Sequence, residues 1–281
     1  MSRTIVDIHP HIVSQDTARY PPSPLFGVRS KWSSERTATA EDLLAEMDRA
    51  GVHKAAIVHA STVYGFDNAL VADAALRFPQ RVAGVGSVDL IAPDAVATAE
   101  KWLDQGICCF RIFTGGSTKK VDASNLDDPR SYGVWELMAA RGLSMCINTD
   151  ATGVPAIIAL AGRFPQVPVL VDHFAQANGL AETAPPLFSM ADMPNVYLKL
   201  TSGVPRSFKK FGTDGRAFIK QVVGAFGAHR IAWGSDWPNA TGSLAEILAE
   251  TQDLIAELPE RDQDHILGNT ALSVYTHLRG A

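Results

Sequence analysis

Cysteine is scarce in this chain, and it sits in apolar surroundings. Cys108, Cys109 and Cys146 are the three copies. They are too few for a disulfide framework, and their spacing does not match a cysteine zinc site. We therefore interpret them as buried thiols in a reducing compartment.

The chain also lacks an excess of positive charge and a long apolar run. Its net charge is −5 and its pI is near 5.9, which argues against nucleic acid or an anionic membrane as the main partner. No stretch of about 18 apolar residues predicts a transmembrane helix, and no signal-peptide core follows Met1. A cytoplasmic location is expected, and assembly into a homo-oligomer stays open.

What remains is the composition of an ordinary enzyme. Apolar residues make up 46% and charged residues 20% of 281 positions, which suits one large α/β domain. No Ser/Gly-rich or charged linker divides the chain. We therefore predict a single domain over residues 1–281.

The first apolar stretch ends in two histidines, in the order Ile5-Val6-Asp7-Ile8-His9-Pro10-His11. The β-branched residues predict a buried strand that stops at Pro10. His9 and His11 are two positions apart, so on a strand they project to the same side. They form either a chelating pair or a pair around one reacting group; the alternative is two structural histidines.

Seven more apolar runs follow, each succeeded by a helical pattern. The predicted strands are 5–9, 54–59, 81–88, 107–112, 143–148, 167–172, 196–200 and 230–236. The predicted helices begin at 39, 67, 93, 132, 154, 185, 213, 244 and 262. Alternating strands and helices imply parallel pairing, and eight units of this size predict a (β/α)₈ TIM barrel. The rival, a doubly wound open sheet, would favour a glycine-rich turn after the first strand. The long segment 12–38 is predicted to form a lid or pocket wall.

Ionisable and polar residues stand at the ends of these strands. They are His9, His11, His59, Arg111, Asn148, Asp150, Asp172, His173, Lys199, Ser202 and Asp236. Such groups are costly there unless they are paired or used. In a barrel they would converge on one mouth, where chemistry takes place.

Asp236 is the strongest candidate for a catalytic residue. It lies in the segment Trp233-Gly234-Ser235-Asp236-Trp237-Pro238. It is interpreted as a general base or a metal-bound carboxylate rather than a turn cap. Arg111 interrupts an apolar strand, so it is predicted to bind a substrate anion, or else to pair with Asp150 or Asp172.

Four sequence pieces together resemble the amidohydrolase superfamily. They are Asp7-x-His9-x-His11, Asp172-His173, the segment around Asp236, and Gly268-Asn269-Thr270-Ala271. Within the superfamily the chain is similar to the short metal-dependent hydrolases that include the 2-pyrone-4,6-dicarboxylate, 4-sulfomuconolactone and sugar-acid lactonases. The resemblance spans the whole chain and implies a (β/α)₈ barrel with a reaction centre at His9, His11, His173 and Asp236.

Two departures from that family argue against a binuclear centre. Arg111-Ile112-Phe113 stands where two-metal members carry a bridging lysine or glutamate, and Asn148 stands near the expected strand-five histidine. Three imidazoles and a carboxylate suit one divalent ion, with Zn²⁺ first. They would equally bind a carbonyl and a water directly, so metal-free operation stays open.

The resulting hypothesis is hydrolysis of a lactone, or less favourably an amide, in a small anionic substrate. Asp236 would take the proton from water, while His9, His11 and His173 stabilise the oxyanion. The predicted substrate-binding residues are Arg111, Arg206, Tyr64, Ser61, Asn68, His59 and Asn148. The alternatives are a metal-dependent decarboxylase of an aromatic or muconate-type acid and a non-catalytic ligand-binding barrel.

Overall fold

The sheet has eight parallel strands in chain order, as expected for the predicted barrel. A computed structural model describes residues 3–114, 118 and 123–279. The strands are β1 Val6–Asp7, β2 Lys54–Val58, β3 Val82–Gly86, β4 Ile107–Phe113, β5 Ser144–Asn148, β6 Val169–Val171, β7 Val196–Thr201 and β8 Ile231–Gly234. Each strand pairs in parallel register with the next, from β1–β2 through β7–β8.

The sheet curls until its first and last strands meet. The Ile8 amide donates to the Trp233 carbonyl at 3.1 Å, and the Asp236 amide donates to the His9 carbonyl at 2.9 Å. The interior below this seam is filled by buried, mostly small apolar side chains, including Val6, Ala56, Val85, Cys109, Cys146 and Leu170. The (β/α)₈ barrel is confirmed, and the open-sheet rival is wrong.

Helices surround the strands. They are α1 Lys31–Glu35, α2 Ala40–Ala50, α3 Ser61–Tyr64, α4 Ala69–Arg77, α5 Ala95–Asp104, α6 Tyr132–Arg141, α7 Val154–Arg163, α8 Ala184–Phe188, α9 Gly203–Phe211, α10 Gly215–Phe226, α11 Leu244–Ile255, α12 Glu260–Asp264 and α13 Thr270–Val274. The predicted start of α2 is confirmed, because Thr39 and Asp42 form a reciprocal capping box. Gly51 ends this helix in the left-handed conformation.

The predicted helix that begins at 262 is helical through Val274, but it is not a uniform α-helix. It divides into α12, a wider π turn at His265–Asn269, and α13. Glycine is required at position 268 of the π turn, because a Cβ there would collide with the Thr4 carbonyl oxygen. The turn therefore packs directly against the backbone that leads into β1.

The long segment after β1 contributes a wall of the barrel mouth. Its helix α1 places the buried Trp32 ring 5.4 Å from the His11 ring, between centroids. The prediction of a pocket wall in this segment is therefore confirmed. In the part of the chain that the structure describes, no helix is long and apolar enough to cross a membrane.

Candidate active site

His11 presents one nitrogen to the mouth of the barrel. Its Nδ1 lies 2.7 Å from the Val58 carbonyl oxygen. Because a carbonyl only accepts, Nδ1 carries a proton, and Nε2 is the nitrogen that faces the site. This Nε2 lies 3.3 Å from Asp236 Oδ1. At this distance the two atoms share either a proton, as a hydrogen bond, or a bound cation.

Two residues of the seam between β1 and β8 hold His9 in place. One carboxylate oxygen of Asp7 accepts the backbone amides of His9, at 3.0 Å, and Ser235, at 2.8 Å. Burial raises the pKa of Asp7 to about 6. A Cβ on Gly234 would lie 2.6 Å from the His9 Cβ, so glycine is required for the two strands to approach this closely.

Asp236 follows β8 and takes a left-handed backbone conformation, with φ of 58°. Its Oδ2 accepts a hydrogen bond from Asn239 Nδ2 at 2.8 Å. Burial opposes ionisation, but the hydrogen bond to His11 and the neighbouring imidazoles outweigh it, so the pKa of Asp236 lies well below its ordinary value. The carboxylate is therefore ionised and oriented.

His173 belongs to a left-handed turn directly after β6. Residues 173–176 all have φ between 51° and 64°, a conformation that costs about 1–2 kcal/mol for each L-residue. The His173 ring lies 4.9 Å from the His9 ring, between centroids, and its Nδ1 is 2.5 Å from Thr201 Oγ1. Burial lowers the pKa of His173, which favours the neutral ring.

A buried charge cluster lies beneath His9. Asp172 Oδ1 is 3.0 Å from Lys199 Nζ, and Asp172 Oδ2 accepts from Arg111 Nε at 2.7 Å. Burial works against the Asp172 carboxylate, but Lys199, His9 and Arg111 bring its pKa well below the ordinary value. His9 Nδ1 lies 3.5 Å from both Lys199 Nζ and Asp172 Oδ1. Burial lowers the pKa of His9, and the Lys199 charge lowers it further.

This donor set fits one divalent cation. His9, His11 and Asp236 offer ligand atoms within 4.8 Å of one another, and His9 Nε2 is buried without a hydrogen-bond partner. Imidazole nitrogen with carboxylate oxygen is a typical zinc donor set. A second group, His9, Asp172 and His173, is equally compact. However, Asp172 is already neutralised by two cationic side chains, which disfavours a second ion.

A cavity of about 290 Å³ opens above the cluster. Seven residues predicted for the site line it: His11, His59, Ser61, Arg111, Asn148, His173 and Asp236. His9 lies next to the rings of His11 and His173 but is itself fully buried. His59 donates from Nε2 to the Gly65 carbonyl at 2.9 Å, and burial lowers its pKa to about 4.

Three predicted substrate-binding residues are not among the described residues of this lining. Arg206 lies on α9 and pairs with Glu250, 3.1 Å away. Tyr64 accepts the Ser14 amide through its hydroxyl. Asn68 bonds to both backbone groups of Ser87. Their side chains make these local contacts, and their assignment to substrate binding stays a prediction.

Other lining residues escaped the prediction. They are Trp32, Ala60, Thr62, Phe113, Gln176, Ala177, Gly203, Val204, Ser207 and Asn239. A signal existed for several of them, because Phe113 ends β4, Gln176 follows β6 closely and Asn239 comes three residues after Asp236. Trp32 comes from the long wall segment and had no motif around it.

The sequence matches the model of the Amidohydrolase family over residues 6–276. This chain therefore belongs to the amidohydrolase family. The match covers β1 through α13, including both histidines at the end of β1 and the carboxylate after β8.

Named relatives and a solved structure agree with this assignment. An L-fucono-1,5-lactonase of Burkholderia ambifaria is 29% identical over 242 residues, covering 83% of this chain and 80% of its own length. A 4-sulfomuconolactone hydrolase of Rhizobium radiobacter is 28% identical over 71% of this chain and 66% of its own length. A zinc-bound amidohydrolase crystal structure from Burkholderia multivorans has a TM-score of 0.76 at 21% identity, covering 97% and 99% of the two chains.

Proposed function

We propose that this chain hydrolyses the ring ester of a small carboxylated lactone with activated water. The observation that carries the proposal is the cluster beside the cavity: ionised Asp236, 3.3 Å from His11 Nε2, with the unpartnered Nε2 of His9 nearby. The names of the two relatives, both lactone-cleaving enzymes, support it. A cyclic amide is the second choice of scissile bond.

Asp236 is assigned the role of general base. It lines the cavity, and its carboxylate is ionised at neutral pH. Asp236 takes one proton from water as the oxygen attacks the lactone carbonyl carbon. When the ring C–O bond breaks, the same carboxyl returns that proton to the leaving alkoxide. The product is a hydroxy acid, and the enzyme regains its starting state.

The three histidines are assigned to the carbonyl oxygen and the water. Ring N–H groups, or a cation held by the ring nitrogens, would stabilise the negative charge that develops on the carbonyl oxygen without having to reorganise. His9, His11, His173 and Asp236 would hold one divalent ion, most suitably Zn²⁺. Such an ion, when bound, lowers the pKa of water and polarises the carbonyl.

Arg111 is assigned to the substrate carboxylate. Its Nε is bound to Asp172 at 2.7 Å, which orients the guanidinium plane. The side chain also lines the cavity, so its terminal nitrogens are the donors for a carboxylate. Guanidinium and carboxylate match as a bidentate pair.

The test replaces Asp236 by Asn and measures lactone hydrolysis in ¹⁸O water. We expect kcat to fall by about 10²–10⁴-fold, the usual contribution of a general base, with the fold and ligand binding retained. Asp104→Asn, on the exposed face of α5, is the matched control. Full activity of Asp236→Asn would remove this residue from the role of base. Release of CO₂ without ¹⁸O incorporation would instead favour the decarboxylase alternative.

A further inference from the structure

The cavity has little positive charge. Arg111 is the single lysine or arginine among its described lining residues. Arg111 shares the carboxylate of Asp172, 2.7 Å away, with Lys199, so the three side chains together carry one net positive charge. Arg206, predicted as a second cation for the substrate, instead binds Glu250 and the Thr241 carbonyl oxygen. The lining described therefore offers a bidentate partner for one carboxylate and no more.

Neutral amides and hydroxyls are the largest group among the polar side chains of the described lining. Six side chains supply them: Ser61, Thr62, Asn148, Gln176, Ser207 and Asn239. They come from positions at or after β2, β5, β6, β7 and β8, and so surround the mouth of the barrel. Amides and hydroxyls present donors and acceptors together, and a ligand hydroxyl group uses both.

Three of these six side chains have atoms that can form hydrogen bonds to ligand hydroxyl groups. Ser61 Oγ is buried without a hydrogen-bond partner. Asn239 uses Nδ2 to bind Asp236, which leaves its oxygen as an acceptor. The Ser207 hydroxyl donates to the Val204 carbonyl and keeps its lone pairs. A ligand without hydroxyls would cover these polar groups and leave them unpaired, which is unfavourable.

We propose that the substrate is a hydroxylated lactone of the sugar-acid type with at most one carboxylate, and that Arg111 binds this carboxylate. The proposal rests on the lactone hydrolysis proposed above and narrows its substrate class. Its hydroxyl groups bind the amides and hydroxyls of the lining, and Trp32 and Phe113 supply apolar lining for the C–H surface of the sugar ring. A planar lactone with two carboxylates fits poorly, because its second charge would meet neutral groups.

The experiment measures kcat/KM of the full chain, loaded with Zn²⁺, on four lactones. They are a neutral hexonolactone, a hexaric acid monolactone with one carboxylate, 2-pyrone-4,6-dicarboxylate, and δ-valerolactone, which has no hydroxyl. We expect kcat/KM on both hydroxylated lactones to exceed kcat/KM on the other two by at least about 10-fold. Each lost hydrogen bond typically costs up to about 10-fold, and the other two lactones lose more than one.

Two matched variants locate the carboxylate. Arg111→Met should lower the preference for the monolactone over the neutral lactone by about 10-fold or more, since hydrogen bonds to charged groups are the stronger ones. Arg206→Met, outside the cavity, should leave this ratio unchanged. The comparison on the unmodified chain stands even if Arg111→Met fails to fold.

The outcomes separate the two proposals. Preference for 2-pyrone-4,6-dicarboxylate, or a changed ratio in Arg206→Met, would overturn the substrate class and leave lactone hydrolysis standing. An unchanged ratio in folded Arg111→Met would overturn the placement of the carboxylate. Hydrolysis of none of the four would overturn lactone hydrolysis itself, and the substrate class with it.

Discussion

Replacing Gly234 by Ala tests how tightly the seam of the barrel positions His9. The added Cβ would lie 2.6 Å from the His9 Cβ and 3.1 Å from the His9 backbone nitrogen. Carbon atoms pack best at about 3.5–4.0 Å, so one strand must move by about 1 Å. Neither strand moves freely, because Asp7 binds the His9 and Ser235 amides with one oxygen.

We expect two measurable effects. Overpacking a rigid core typically costs about 1–3 kcal/mol in the free energy of unfolding, which lowers the Tm by several degrees in a chain of this size. A shift of about 1 Å at a catalytic group costs about 100-fold in rate. Lactonase kcat/KM should therefore fall much further than the small loss of stability would explain.

The assay compares thermal unfolding and lactone hydrolysis of Gly234→Ala with those of Gly162→Ala. Gly162 lies on α7, and a Cβ there meets no atom within 4 Å. This control should gain about 0.5–1 kcal/mol, the usual difference between Gly and Ala inside a helix. Wild-type Tm and activity in Gly234→Ala would refute the steric argument.

Three further predictions concern the charges and the metal. Asp172→Asn should lower the free energy of unfolding in urea by about 3–5 kcal/mol, because it leaves Lys199 and Arg111 buried without their counter-ion; a loss below 1 kcal/mol would contradict this. Chelation should lower both Tm and activity, and Zn²⁺ should restore both, since an ion at 100 times its Kd stabilises by about 2.7 kcal/mol; full activity of a verified metal-free protein would speak for direct binding of the carbonyl. The pKa of His59 is about 4 in the folded state, against an ordinary value of 6.5. His59 therefore binds its proton more weakly in the folded chain than in the unfolded chain. The contribution of His59 to stability should therefore be full above pH 6.5 and be lost, by about 3 kcal/mol, as the pH falls towards 4. Asp7, whose pKa is raised to about 6, changes stability in the opposite direction over this range, so the measurement is the difference in pH dependence between the unmodified chain and His59→Gln.

The strands and the reaction centre were predictable from the sequence for one physical reason. Short apolar runs alternating with helical patterns specify a parallel barrel, and a barrel brings its strand ends together. His9, His11, His173 and Asp236 occupy such ends. The structure brings ligand atoms of His9, His11 and Asp236 within 4.8 Å of one another, and the His173 ring lies 4.9 Å from the His9 ring. The ion pair of Arg111 with Asp172 was also one of the predicted alternatives.

The direction of side chains in the loops was not predictable in this way. No helix was predicted between the strand at 196–200 and the helix that begins at 213, although α9 forms there. Val204 and Phe208, four residues apart, bury one face of this helix, while Arg206 pairs with Glu250. The i, i+4 spacing of Val204 and Phe208 was a helical signal in the sequence. By contrast, no spacing in the sequence indicates that Asn68 binds the backbone of Ser87.

The joining of β1 to β8 means that the reaction centre is completed by the two ends of the chain. A partly folded barrel that still lacks its last strand has His9 and His11 but no Asp236 beside them. Ligands of the centre therefore recognise the closed ring alone, and their binding should slow amide hydrogen exchange around the whole circumference. For the same reason, a fragment that ends before β8 should have no affinity for them.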